Sequence, residues 1–391
     1  MTCVFNSMSL QQIHIAHFDL DAFFVSVERI LDPSLIGKPL IIGGSKERGV
    51  VSTCSYEARK YGVRSAMPMS KAHALCPDGI FMKGSRGQYS KFSNWVTDII
   101  ASKAPLYEKA SIDEFYIDLT GMDRFFDSLQ WTIDLRNEII ETTKLPISFG
   151  LASNRMVAKI ATNIAKPNGY IQVLPGKEKE FLAPLEVGSI PGVGEQMLKR
   201  MHELGILTIG ALAAYPMHLL ELNFGTFGKL LSRKAHGESG SEIHSSYDAK
   251  SVSTEQTFLE NLHNIEELES TLLSMSEKLG YELRRDEKFT RCIAVKIRYP
   301  DFETHTKQIS IPSTSFDDEI FRTAKMLFHQ LCDARKTVRL LGIRCSELIS
   351  GEVQTNIFEN KIQKMQLYHA IDDVKIRFGK DALGKAGGDQ H

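Results

Sequence analysis

At 391 residues the chain exceeds the usual single core of about 100–200 residues, so two to four domains are expected. A hydrophobic content of 42% and a charged content of 24% exclude a wholly disordered or collagen-like chain. With 47 Lys+Arg against 48 Asp+Glu there is no global basic signature, so any polyanionic partner must be held by local patches.

No run approaches the ~18–20 apolar residues of a membrane span. Residues 1–10 carry neither a basic cluster nor an apolar core, so no secretory leader is expected. The six cysteines are scattered without a C-x-x-C pair, which signals neither a zinc site nor a disulfide framework. A cytoplasmic protein is the expectation.

In chain order, residues 13–20 read as a buried strand and 22–30 as the helix after it. Residues 39–43 and 50–53 read as strands, and 55–61 as a short helix. Residues 107–110 and 115–119 look like paired strands around Ser111-Ile112-Asp113-Glu114. A strand at 147–151 and a helix at 155–165, closed by Lys166-Pro167-Asn168-Gly169, complete an α/β region up to about Gln172. From Pro175 the texture becomes helical around Ile190-Pro191-Gly192-Val193-Gly194, and 236–250 reads as linker-like.

Residues 251–347 follow the order βαββαβ. Ile265, Leu268, Leu272, Met275, Leu279 and Leu283 fall at helical spacing, as do Ile320, Ala324, Leu327 and Leu331. This order predicts a split-βαβ sheet with both helices on one face. Along 291–299, Ile293, Val295 and Ile297 point one way and Lys296 and Arg298 the other, toward an open face.

Acidic residues at strand ends amid apolar neighbours are costly to bury unless paired or metal-bound. Asp19 and Asp21 end the first strand, and Asp113-Glu114 sits between two later ones. Such carboxylates could converge on Mg²⁺, which takes a few carboxylates plus phosphate and water oxygens. Alternatively they cap turns and helices, with Asp21 as an N-cap. On these residues alone nuclease, cyclase and polymerase all stay open.

The flanking residues narrow the choice. Phe18-Asp19-Leu20-Asp21-Ala22-Phe23-Phe24, then Ser52 to Pro68 with Tyr56-Glu57-Ala58-Arg59, then Ser111-Ile112-Asp113-Glu114-Phe115, follow one another. Ala158-Lys159-Ile160-Ala161, Ala165-Lys166-Pro167-Asn168-Gly169 and Ile190-Pro191-Gly192-Val193-Gly194 come next. In this order, from about residue 13 to at least 347, they resemble the Y-family of translesion DNA polymerases, in its bacterial DinB-type branch. The departures are small: Cys54-Ser55 where Ala-Asn is frequent, and Ala22 where an aromatic residue or cysteine is common.

The resemblance implies an α/β and α+β multidomain, right-hand polymerase. The palm would be formed by 1–23 and 84–173, the fingers by 24–83, and a helix-hairpin-helix thumb by 174–242. A linker at 243–250 would lead to a βαββαβ little finger at 251–350 and a tail at 351–391. The implied activity is template-directed addition of deoxynucleotides to a primer 3′ end, with low fidelity and no proofreading. Asp19, Asp113 and Glu114 would be catalytic and, with the Leu20 carbonyl, would hold two Mg²⁺ ions, with Mn²⁺ able to substitute. The nucleotide would meet Phe23, Phe24, Thr53, Tyr56, Arg59 and Lys166, with Phe24 as the sugar gate.

For DNA, Gly192 and Gly194 would offer backbone N–H groups to phosphate, and Lys296, Arg298, Arg339 and Arg344 would provide cations. Six cations between 284 and 298 face only Asp286 and Glu287, which predicts a basic patch; a solvated charged face is the alternative for Arg284 and Arg285. Gln354, Ile357 and Phe358 resemble a sliding-clamp pentapeptide. Ile362, Met365, Ile371, Val374 and Phe378 beyond it suggest an amphipathic helix. The expected partners are primer–template DNA, deoxynucleoside triphosphates and the clamp, for a monomer with no membrane association. Two alternatives are a two-metal nuclease or cyclase, opposed by the thumb turn and little-finger order, and an inactive DNA-binding accessory, opposed by the intact carboxylates.

Overall fold

In the computed structural model of the chain, which describes residues 13–245, 248–351, 361–379 and 382–384, strand β1 (Ile15–Leu20) is buried along its whole length. Its alternation sorts two environments. Ala16, Phe18 and Leu20 face one apolar cluster, while Ile15 joins another on the opposite face, the side to which His17 and Asp19 also point. Helix α1 (Phe23–Leu31) follows and sends Val25 into a small cluster with Leu35, Leu40 and Ile42.

The segment after α1 builds a three-stranded sheet. Strands β2 (Leu40–Gly43), β3 (Val51–Cys54) and β4 (Ile80–Met82) lie in the order β3-β2-β4, with helices α2 (Tyr56–Arg59) and α3 (Met69–Leu75) between β3 and β4. The chain then returns to β1. Helix α4 (Arg86–Lys103), β5 (Tyr107–Lys109), β6 (Glu114–Asp118), α5 (Ser128–Thr143), β7 (Ile147–Ala152), α6 (Arg155–Ala165) and β8 (Tyr170–Gln172) complete a sheet of order β5-β6-β1-β7-β8. Val96 and Ile100 of α4 and Leu135 and Ile139 of α5 cover one face; Met156, Val157 and Ile160 of α6 cover the other. Helix α6 lies so close to β7 that a β-carbon at Gly150 would strike the Ala158 carbonyl, which makes glycine a packing requirement there.

Five short helices follow: α7 (Glu178–Leu182), α8 (Glu195–Glu203), α9 (Ile209–Ala214), α10 (Met217–Phe224) and α11 (Thr226–Ala235). One cluster runs from Ile15 and Met156 to Leu182, Met201, Leu212 and Leu231. These helices therefore share a core with the sheet.

The described chain divides into Met1–Tyr247 and Asp248–His391. In the second unit, β9 (Ser251–Leu262), α12 (Ile265–Arg285), β10 (Lys288–Arg298), β11 (Thr304–Thr314), α13 (Asp317–Leu331) and β12 (Val338–Ser346) follow the expected order. The antiparallel pairings β11-β10-β12-β9 interleave two split βαβ units. Leu272, Leu279, Ile320 and Leu327 pack on Ile293, Val295, Ile297 and Ile343, so both helices cover one face.

Helix α14 (Lys361–Phe378) docks in this second unit, but not by an apolar stripe. It buries Tyr368, Asp372 and Lys375, while Met365 and Phe378 are 42% and 75% exposed. Arg284 explains the difference. Its guanidinium forks onto Asp372 at 2.7 and 2.9 Å, donates to Asp317 at 2.7 Å and lies 4.5 Å over the Tyr368 ring. Arg284 is thus a core cation rather than part of a phosphate-binding patch. The neighbouring cations are divided as well: Arg285 pairs with Asp286, Lys288 with Asp248 and Lys296 with Glu255. Among the described residues no helix is long and apolar enough to cross a membrane.

Candidate active site

The antiparallel register sets Asp19 opposite Glu114 and His17 opposite Tyr116, on the face of the sheet that carries α6. Asp113 belongs to the connection just before β6, and its carbonyl accepts from the Leu20 amide at 3.0 Å. That connection is tied by Ser111, whose hydroxyl donates to Asp113 Oδ1 at 2.5 Å and accepts from the Asp113 and Glu114 amides. Strand pairing thus brings two distant acidic segments to one sheet end.

Helix α6 and Lys166, the extended residue just past its end, supply the counter-charges. Lys159 Nζ lies 2.7 and 2.6 Å from the two oxygens of Glu114, and Lys166 Nζ lies 2.5 Å from Asp19 Oδ1. Burial lifts the Asp19 carboxyl to about 7, although Lys166 works against it. Glu114 is drawn down to about 2 by the His17 imidazole and the Lys159 ammonium. His17 itself is buried, which lowers its pKa, and its Nδ1 is 2.8 Å from the Thr162 hydroxyl.

A cleft of about 300 Å³ opens beside these groups, lined by Asp19, Leu20, Phe23, Phe24, Thr53, Arg59, Asp113 and Lys166 among others. Eight of the expected site residues therefore share one wall system. Tyr56 stands just behind it: the Arg59 guanidinium lies 4.7 Å over its ring, and its hydroxyl is 3.5 Å from Asp21 Oδ1. Ser55 caps α2 by accepting from the Ala58 amide, which fixes where Tyr56 and Arg59 begin.

Among the described residues no three His, Cys, Asp or Glu side chains gather closely enough to enclose a metal. Glu114 is turned to Lys159 and Asp113 to Ser111. The donor set nevertheless suits magnesium, because every candidate ligand is a hard oxygen and the buried Asp19 and half-buried Glu114 already draw two ammonium groups to the spot. Manganese shares that preference for oxygen.

Asp21 has a different task from the helix cap considered above. Helix α1 starts after Ala22, which is left-handed (φ 43°) and makes no side-chain cap. The Asp21 carboxylate, 1% exposed, instead accepts from the Ser148 hydroxyl at 2.9 Å and the Asn168 amide at 2.7 Å. It bolts the end of β1 to β7 and to the turn that carries Lys166.

A second cleft, about 550 Å³, is lined by Tyr116, Arg155, Lys159, Pro191, Lys234 and Glu242 among others. Gly192 beside it has φ 96°, open only to glycine at low cost, and Lys234 Nζ donates to the Pro191 carbonyl at 2.7 Å. Gly194 begins α8 with open space around it. In the second unit, Arg344 shares the open sheet face with Lys296 and Arg298 through the β10–β12 register, and Arg298 donates to the Thr304 hydroxyl. Arg339 stands apart at the sheet end, its guanidinium 4.7 Å over the Phe302 ring. Gln354, Ile357 and Phe358 lie outside the described residues.

Sequence reasoning assigned no role to Lys159. The signal was its place in the Ala158-Lys159-Ile160-Ala161 motif, on the helix that runs directly into Lys166.

The impB/mucB/samB family model matches residues 18–163, and the model of that family's C-terminal domain matches 249–357. A DNA polymerase IV of Dehalococcoides mccartyi is 38% identical over 369 residues, covering 93% of this chain and 95% of that one. A DNA polymerase IV of Staphylococcus aureus is 38% identical over 337 residues, 85% of this chain and 95% of that one. Among solved structures, a Y-family DNA polymerase chimera of Dbh and Dpo4 superposes with a TM-score of 0.75 at 27% identity, over 86% of this chain and 100% of that one. An insertion ternary complex of Dbh DNA polymerase gives 0.63 at 26% identity, with the same coverage. The chain belongs to the impB/mucB/samB family, the Y-family DNA polymerases, and within it to the DNA polymerase IV type.

Proposed function

We infer that this DNA-directed, translesion DNA polymerase performs its chemistry at the Asp19, Asp113 and Glu114 end of β1 and β6. The observation that carries the assignment is the single cleft that joins Asp19 and Asp113 to the cations Arg59 and Lys166 and to the Phe24 ring. Nucleotidyl transfer needs all three: carboxylates for metal, cations for a triphosphate of about four negative charges, and a wall against the sugar.

Asp19, Asp113 and Glu114, with the Leu20 carbonyl, would hold two magnesium ions. Bound there, the ions would acidify the primer 3′-hydroxyl and neutralise the leaving pyrophosphate. The chain's own groups do the rest. Arg59 offers a planar fork to the phosphates, with Tyr56 beneath it, and Lys166 offers a mobile point charge. The primer oxygen bonds to the α-phosphorus as the bond to the bridging pyrophosphate oxygen breaks. Phe23 and Thr53 shape the base and sugar pocket, and the carbon wall of Phe24 leaves a 2′-hydroxyl without room or partner.

DNA would be held without regard to sequence. The Gly192 and Gly194 backbone would meet phosphates beside the second cleft. Lys296, Arg298, Arg344 and Arg339 would add salt-dependent contacts. A monomer that holds DNA this way gains from tethering, and Gln354, Ile357 and Phe358 are proposed to bind the sliding clamp. A cytoplasmic location and the absence of proofreading go with this reading.

Primer extension with magnesium and deoxynucleotides tests it: a ladder is expected, whereas degradation or inert DNA would overturn it. Replacing Gln354, Ile357 and Phe358 by Ala should abolish clamp stimulation and leave unaided extension intact. Persistent stimulation would refute the clamp assignment alone.

A further inference from the structure

A buried pair stands behind the proposed sugar wall. The Tyr89 ring of α4 lies parallel to the Phe24 ring, with centroids 4.1 Å apart and planes 6° apart. Tyr89 is 2% exposed and is not among the residues lining the nucleotide cleft. Its hydroxyl donates to Glu28 Oε1 at 2.5 Å, and the Ser85 amide donates to both oxygens at 3.0 Å. Glu28 is one turn beyond Phe24 on α1, so the two share a helix face and Tyr89 spans both.

Glu28 is 4% exposed, and among the described residues no cation pairs with it. A carboxylate in such a place is poor core material, and an apolar residue of similar size would pack at lower cost. What it supplies is a strong, directional acceptor. Burial and the bond to Glu28 both raise the Tyr89 phenol, so Tyr89 stays the donor throughout the working pH range. The room for its hydroxyl is also shaped: a β-carbon at Gly84 would collide with it.

We infer that Glu28 is a positioning residue for sugar discrimination, acting through Tyr89 to hold the Phe24 ring flat against the nucleotide cleft. This rests on the reading of Phe24 as the sugar wall. A stacked ring can slide or tilt at small cost; a ring pinned by a charge-assisted hydrogen bond cannot do so freely. The gate is then a three-part assembly of a wall, a backing plate and a buried anchor. Its stiffness decides how well a 2′-hydroxyl is refused.

Single-nucleotide insertion is measured for deoxynucleotides and ribonucleotides, and the ratio of the two kcat/KM values is the readout. Glu28→Leu and Tyr89→Phe should each lower that ratio about three- to tenfold, less than a whole charge-assisted hydrogen bond because the effect reaches Phe24 only through the ring stack. The change should come mainly through a lower ribonucleotide KM, with deoxynucleotide use falling less. Glu28→Gln keeps a carbonyl acceptor and should restore most of the ratio. In a Phe24→Ala background, Glu28→Leu should add nothing. If Phe24→Ala collapses the ratio but Tyr89→Phe and Glu28→Leu leave it unchanged, or depress both substrates in parallel, Glu28 is core support and the inference fails. If Phe24→Ala itself leaves the ratio intact, the wall reading has failed instead. Tyr89→Phe retains the packing volume, so the test survives a Glu28→Leu protein that does not fold.

Discussion

Lys166 Nζ lies 2.5 Å from Asp19 Oδ1, with the two side chains 20% and 8% exposed. Lys159 closes Glu114 in the same way from within α6. Two of the carboxylates proposed as metal ligands therefore carry protein counter-ions of their own, one from within α6 and one from the extended residue just past its end. On the proposed reading, each lysine would have to give ground to a bound magnesium ion, which would leave Lys166 free for the triphosphate.

Replacing Lys166 by Met should leave Asp19 buried and unpaired. Removing one partner of a fully buried pair costs about 3–5 kcal/mol, and the partial exposure here reduces that to about 1–3 kcal/mol. Thermal melting in chelator should show the loss, and magnesium should recover part of it. The nucleotide KM should rise as well. An unchanged melting temperature in chelator would mean that the ion pair contributes nothing to the metal-free fold.

Asp113→Ala and Glu114→Ala should each abolish extension, by about a thousandfold or more, since a lost metal ligand removes several kcal/mol of transition-state stabilisation. Primer–template affinity, measured by fluorescence anisotropy, should stay near that of the parent. Extension at parental rates by either protein would refute the catalytic assignment.

Asp21 calls for a different experiment, because its partners are structural. Hydrogen bonds to charged groups contribute about 1.5–3 kcal/mol each. Asp21→Ala breaks those to Ser148 and Asn168, so urea unfolding should show a loss of about 2–4 kcal/mol. Asp21→Asn keeps one acceptor and should lose less. A stability unchanged within error would show that the β1 end is held by other contacts.

The elements were legible where a period ran uninterrupted. Helix α6 spans Arg155–Ala165 as expected, and the alternation of Ile293, Val295 and Ile297 set the face of β10. The carboxylates stood out as acids at strand ends, whereas Arg59, Lys166, Phe23, Phe24 and Thr53 came through resemblance in the order of their motifs. What escaped was pairing across distance. Nothing local marks Arg284 as buried, because its partner Asp372 is 88 residues away on a helix whose docking face is polar. Asp21 precedes a helix and reads as a cap. Its real partners, Ser148 and Asn168, lie in segments brought beside it only by the sheet order.

The Arg284 cluster determines whether α14 stays docked. The guanidinium satisfies Asp372 by two bonds, Asp317 by one and the Ser315 carbonyl by one, under the Tyr368 ring. Further support comes from Tyr368, which donates to Asp318 at 2.9 Å, and from Lys364, which lies 2.9 Å from Asp318 and Glu319. The Lys364 pairs are more exposed than the cluster and contribute roughly 0–1 kcal/mol each. Arg284→Leu would leave two carboxylates facing each other in a site closed to water, a loss of about 3–5 kcal/mol. Much of that strain is relieved if α14 leaves, since hydration then returns to Asp372. The sheet with α12 and α13 should survive, because Leu272, Leu279 and Leu283 hold α12 by an apolar face that does not involve α14. Amide hydrogen exchange should therefore quicken across 361–378 in the Arg284→Leu protein while β10 and β12 remain protected. Asp372→Asn keeps the shape and one acceptor and should give a smaller change of the same kind. Equal protection of α14 in parent and Arg284→Leu would show that the outer pairs and the Phe316–Tyr368 stack suffice to hold the helix.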